Sequence, residues 1–144
     1  MKYLIPAAIA WAVAQSLKHL FRLAGRNRRI FKGASKAWFM PSGGMPSTHS
    51  ATVTAFVVYV GLSEGVESGL FAISFLLAAI VIYDSMRVRY SSGRQGELLN
   101  SLLTELKSSL LPVRVAHGHT LLEVVAGILV GMTVGLVVFI TTKF

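Results

Sequence analysis

Two histidines in an otherwise apolar chain stand where a titratable ring can work on a bound anion. His49 lies in the stretch Gly43-Gly44-Met45-Pro46-Ser47-Thr48-His49-Ser50, and His119 lies four residues before Glu123. The paired glycines permit tight backbone turns, and Pro46 fixes a φ suited to starting a helix. Ser47, Thr48 and Ser50 are all capping types ahead of the apolar run that begins at Ala51. Such a helix start offers unpaired N–H groups and a partial positive charge to an anion. His49 falls in its first turn. A capped helix start with an incidental histidine also fits this stretch taken alone.

His119 and Glu123 share a helix face at their spacing. A carboxylate one turn from an imidazole orients the ring and raises its basicity. Glu123 stands among Leu121, Leu122, Val124 and Val125, and an ionisable residue in a membrane-embedded turn is functional by default. An ion pair with a loop arginine is the structural alternative. His117 competes with His119 but is less well oriented in its loop. Arg87, Arg89 and Arg94 follow the third apolar run, and guanidinium forks match the oxygens of a phosphate. Anchoring to lipid headgroups would use the same arginines, with Asp84 holding one of them in place. Asp84, Glu97 and Glu123 have no recognised ligand spacing, so no metal is expected, and no cofactor.

The elements that must position these residues belong to a membrane protein. Of the 144 residues, 53% are hydrophobic and 14% charged, and mean hydropathy is +0.64. The length suits one domain, covering residues 1–144. There are no cysteines, which excludes disulfides and thiolate metal sites. Much of the net charge of +8 falls in one interval, where Arg22, Arg26, Arg28, Arg29, Lys32 and Lys36 occur without an acidic residue. Flanked by membrane-length apolar runs, that interval suits anionic lipid rather than nucleic acid.

The first apolar segment covers residues 3–24. Lys2, a short apolar core and Ala12-Val13-Ala14 imitate a cleavable signal, but Gln15, Lys18 and Arg22 continue at helical spacing, so a retained helix is expected. Trp38 and Phe39 suit the membrane interface. The second run, 51–62, is short for a span but gains a turn by beginning near Ser47. After a turn over 63–69, the third run covers 70–83, followed by a polar, basic stretch over 84–96. Residues 97–111 read as an amphipathic helix lying in the interface or packed over the bundle, ended by Pro112. The final run extends over 119–142 and carries Gly127, Gly131 and Gly135, a smooth stripe for close helix approach. Packing within the chain is the preferred use of that stripe; a homodimer seam is the other. The expected class is all-α: about four spanning helices plus one amphipathic helix.

The basic interval after the first helix should be cytoplasmic by the positive-inside rule. The N-terminus is then outside, and 43–50, 84–97 and 114–123 share the cytoplasmic face. Three polar clusters distant in sequence thus converge on one side of the membrane.

These residues carry a resemblance. Pro46-Ser47-Thr48-His49-Ser50 is similar to the Pro-Ser-Gly-His signature of the type 2 phosphatidic acid phosphatase and vanadium haloperoxidase superfamily. His119-x-x-x-Glu123 resembles its His-x-x-x-Asp motif. Gly43-Gly44, Asp84-x-x-x-Val88-Arg89, Gly93-x-Gln95, Leu99-Asn100, Gly118-His119-Thr120 and Gln15-x-x-Lys18 resemble its divergent bacterial and plastid subgroup. The superfamily's Lys and Arg-Pro motif is absent, with Lys36 and Met40-Pro41 a partial echo; the Ser-Arg before the second histidine is also missing. The resemblance implies a helical membrane bundle that hydrolyses a phosphomonoester through a phosphohistidine. It makes His119 the nucleophile, Glu123 its orienting carboxylate and His49 the acid for the leaving alkoxide. Backbone N–H groups near Ser47 and Thr48, with Arg87, Arg89 and Arg94, would hold the phosphate oxygens, supported by Asp84, Gly44 and Lys36. The expected substrate is a lipid phosphate of the phosphatidylglycerol phosphate, phosphatidate or isoprenoid class. The alternative is a non-catalytic membrane protein that binds anionic lipid or scaffolds a partner.

Overall fold

The computed structural model describes residues 2–23, 44–113, 115 and 118–143. Lys36, Arg114, His117, Trp38, Phe39 and most of the basic interval lie outside the described residues. Among the described residues five helices form: α1 (Leu4–Leu23), α2 (Thr48–Glu64), α3 (Gly69–Met86), α4 (Val88–Glu105) and α5 (Leu121–Lys143). Among the described residues there is no strand. The chain is an all-helical membrane bundle.

Among the described residues three stretches are long and apolar enough to cross a bilayer: Leu4–Phe21, Gly69–Glu105 and Leu121–Lys143. The 17 residues of α2 reach only about 26 Å, less than a hydrocarbon core of about 30 Å. This short helix is central, packing on α1, α3 and α5.

The bundle is held by small residues facing inward and large apolar ones facing out. On α1, Pro6, Ala10, Ala14 and Lys18 recur every fourth residue and are all buried. On α3, Ser74, Ala78 and Ser85 are buried, while Ile73, Phe75, Leu76, Leu77 and Ile80 are exposed. Lipid tails solvate leucine as well as another helix does, so close backbone approach and polar contacts decide the packing.

The closest approach is between α2 and α5. A Cβ built on Gly127 would lie 2.4 Å from the carbonyl oxygen of Ser47, one on Gly131 2.4 Å from that of Ala51, and one on Gly135 2.8 Å from that of Ala55. The glycine stripe is therefore filled by the small-residue face of α2 within the same chain.

The amphipathic region departs from the expected boundaries. Arg87 keeps right-handed helical angles and donates its N–H to the Tyr83 carbonyl, so α3 runs almost directly into α4. The polar stretch over 88–96 is thus helical. The helix ends at Glu105 rather than at Pro112 because Lys107 takes φ 49. Its N–H reaches the Thr104 carbonyl at 3.1 Å, and Ser108 N–H reaches that of Leu103 at 3.0 Å, a Schellman stop. Asn100 then secures the following strand of chain, accepting from Val113 N–H at 2.8 Å and donating to the Val113 carbonyl at 3.0 Å.

Candidate active site

The polar residues meet at one end of the bundle, where α2 and α5 begin and α3 ends. Ser47 caps α2: its hydroxyl oxygen accepts from Ser50 N–H at 3.3 Å and from the Ser50 hydroxyl at 3.0 Å. Pro46 therefore precedes the cap instead of occupying the first helical position, after a turn in which Gly44 takes φ 90. Ser47 N–H donates to the Glu123 carbonyl at 2.9 Å, which ties the start of α2 to the first turn of α5. The Ser47 N–H is thus engaged within the bundle. Thr48 and His49, the first two helical residues, retain N–H groups that have no partner within the helix.

The start of α5 is a capping box. Thr120 N–H donates to Glu123 Oε2 at 3.1 Å, and Glu123 N–H donates to Thr120 Oγ1 at 3.4 Å. The same Oε2 lies 2.9 Å from His119 Nδ1. Glu123 is held by its own helix terminus while it orients the imidazole. With Nδ1 directed at the carboxylate, Nε2 is the nitrogen left for chemistry. The His119 backbone N–H donates to the Ser85 carbonyl at 2.9 Å, so α3 fixes the residue from the other side. Only 7% of His119 is exposed.

The two histidines are 70 positions apart but in edge-to-face contact, with ring centroids 6.0 Å apart. His49 Nδ1 is buried and has no hydrogen-bond partner among the described residues. An unsatisfied buried ring nitrogen is uncommon and calls for a ligand or a catalytic role.

The arginines divide. Arg89 pairs with Asp84 at 3.6 Å, and the charges of both act on His49. Arg94 instead pairs with Glu97 at 3.2 Å on the exposed surface of α4, and Arg87 is exposed at the α3–α4 junction. Of the three, Arg89 is the one whose charge acts on His49. Asp84, Glu97 and Glu123 each pair with a different base, so they do not form one acidic group.

A residue that the sequence analysis named without giving it a site role lies near this end of the bundle. Lys18 of α1 is 4% exposed, and its charge acts on both Glu123 and His49. The signal was present, since Lys18 continues the every-fourth-residue series of Pro6, Ala10 and Ala14. Thr120 was also legible as the cap of a Thr-x-x-Glu box. Ser85 was not, because its part is played by a backbone carbonyl.

A protein-family profile described as the divergent PAP2 family matches residues 1–134, which takes in every element of this site. The chain belongs to that family. Within it, the divergent PAP2 chain is 44% identical over 64 residues to a protein of Bacillus subtilis (strain 168) titled "Uncharacterized membrane protein YuiD". The match spans 44% of this chain and 40% of that relative's length. No solved structure matches the chain. Membership accounts for the paired signatures around His49 and His119 in a divergent PAP2 protein that lacks the superfamily's Lys and Arg-Pro motif.

Proposed function

We propose that the protein is a membrane phosphatase that hydrolyses a lipid phosphomonoester at the histidine end of the bundle. The observation that carries this reading is the His119–Glu123 pair at 2.9 Å with the His49 ring 6.0 Å from that of His119. Two rings in contact at one end of the bundle can flank a single phosphoryl group, one as nucleophile and the other as acid.

His119 Nε2 attacks phosphorus, forming a P–N bond as the ester P–O bond breaks. His49 delivers a proton to the departing alkoxide, which leaves as the free alcohol. A water molecule then attacks the phosphohistidine, with His49 taking its proton, and inorganic phosphate departs from a restored His119. Glu123 holds the His119 tautomer throughout. Arg89 and the N–H groups at Thr48 and His49 face the charge that develops on the equatorial oxygens. Family membership supports a hydrolase reading, and the apolar bundle favours a substrate with a lipid tail. By the positive-inside rule this end faces the cytoplasm.

The test is phosphate release by purified protein from phosphatidylglycerol phosphate, phosphatidate and isoprenyl phosphates in mixed micelles. The wild type should release phosphate from at least one, and His119→Ala should abolish release. Equal release by both proteins would remove the nucleophile. A second reading, anionic-lipid binding without turnover, draws support from Arg87 and Arg94, which stand exposed outside the histidine cluster. It predicts vesicle binding that depends on those arginines, with no phosphate released from any substrate.

A further inference from the structure

We infer that Lys18 is the cation that completes the anion site, placing its ammonium against the non-bridging oxygens of a bound phosphoryl group. The inference rests on the phosphatase reading for the identity of the ligand, and on the burial of this lysine for its location.

A lysine five residues from the end of a membrane helix ordinarily extends along the surface to place its charge in water. Lys18 does not: it is 4% exposed and lies in register with Pro6, Ala10 and Ala14 on the inward face of α1. That face packs against α2 and α5, the two helices that carry His49 and His119. Burying an ammonium is unfavourable unless a counter-charge meets it. All six acidic residues of the chain are among the described residues, and none lies within ion-pairing distance of Lys18. Glu123 attracts it from farther away, and the Glu123 carboxylate is already engaged by His119 Nδ1 and Thr120 N–H.

The bundle therefore holds a buried lysine with no close carboxylate, and its charge acts on His49, whose ring Nδ1 is itself buried and unsatisfied. A doubly charged tetrahedral anion satisfies both. Lysine acts on phosphate as a point charge, and it supplies here a positive group in a chain without the Lys and Arg-Pro motif.

The experiment titrates orthovanadate into the full-length protein in detergent micelles by calorimetry, for wild type, Lys18→Met and Lys18→Gln, with Lys2→Met as a control at the opposite end. Thermal unfolding and lipid-phosphate release are recorded on the same samples. Lys18→Met and Lys18→Gln should weaken vanadate binding at least about tenfold, the loss of one charge-assisted contact, and Lys2→Met should leave it unchanged. Because an incompletely paired buried charge is removed, Tm of Lys18→Met should hold or rise. Vanadate affinity unaltered in both variants, or no vanadate binding by the wild type, overturns the inference. A lower Tm with unaltered affinity assigns Lys18 to pairing with Glu123 and overturns it too. Vanadate binding that depends on Lys18, with no lipid phosphate hydrolysed, keeps the anion site and removes the phosphatase reading.

Discussion

The two ends of the bundle are built from the same helices and handle polar groups in opposite ways. At the end remote from the histidines, Tyr59 hydroxyl meets Thr142 Oγ1 at 3.3 Å, and its ring packs edge-on against Tyr3 at 6.1 Å and Phe139 at 6.2 Å. Tyr3 hydroxyl donates to Glu64, Lys2 lies 4.0 Å from the same carboxylate, and Lys143 sits over the Phe139 ring. Each of these polar groups has a partner, and the charged ones are exposed. At the histidine end, Lys18 is buried without a close carboxylate and His49 Nδ1 is buried without a bond. The first arrangement is a clasp, complete in itself. The second, on the proposal made above, is completed by an anion.

The contrast can be broken at the seam that joins the two ends. Gly131→Leu drives a side chain into the Ala51 carbonyl, which a Cβ alone would approach to 2.4 Å. Backbone cannot yield as a flexible side chain does, so the loss should exceed the usual overpacking range of about 1–3 kcal/mol. Thermal unfolding in detergent should show the folded state lost, and activity with it. A folded, active Gly131→Leu protein would mean that the α2–α5 contact does not hold the site.

At the histidine end alone, His49→Gln should lower phosphate release about 10²–10⁴-fold, the range for one general acid, with Tm unchanged. A fall in Tm matching the fall in rate would instead make His49 a packing residue. Glu123→Gln keeps the shape of the capping box but removes its charge, so Nδ1 of His119 loses its anionic partner. We expect a smaller fall in kcat, and a stability loss of about 0.5–2 kcal/mol, the scale of one helix cap. Release at wild-type rates would leave Glu123 a cap and nothing more. The smallest effect belongs to the clasp: Tyr59→Phe removes one hydroxyl contact and should cost about 0.5–1.5 kcal/mol in unfolding experiments. Its turnover should match wild type. Loss of turnover in Tyr59→Phe would show that the two ends are coupled and do not divide structure from chemistry.

The sequence by itself determined whatever depends on the helical period. Apolar runs of membrane length, glycines every fourth residue on α5 and the His119–Glu123 pair are local patterns, since residues four apart on a helix must share a face. Thr120 as a cap and Lys18 in line with Ala10 and Ala14, both named without a site role, were also written at that spacing. What only the tertiary structure decided is how the helices are set against one another. The approach of Gly127, Gly131 and Gly135 to the carbonyls of α2 fixes the relative height of α2 and α5, and with it the meeting of His49 and His119. That height also spends Ser47 N–H on the Glu123 carbonyl. The run of α3 into α4 carries Arg94 to the exposed surface while Arg89 pairs with Asp84 and its charge acts on His49. No one-dimensional pattern contains the setting of α2 against α5, because it depends on backbone contact between helices separated by tens of residues.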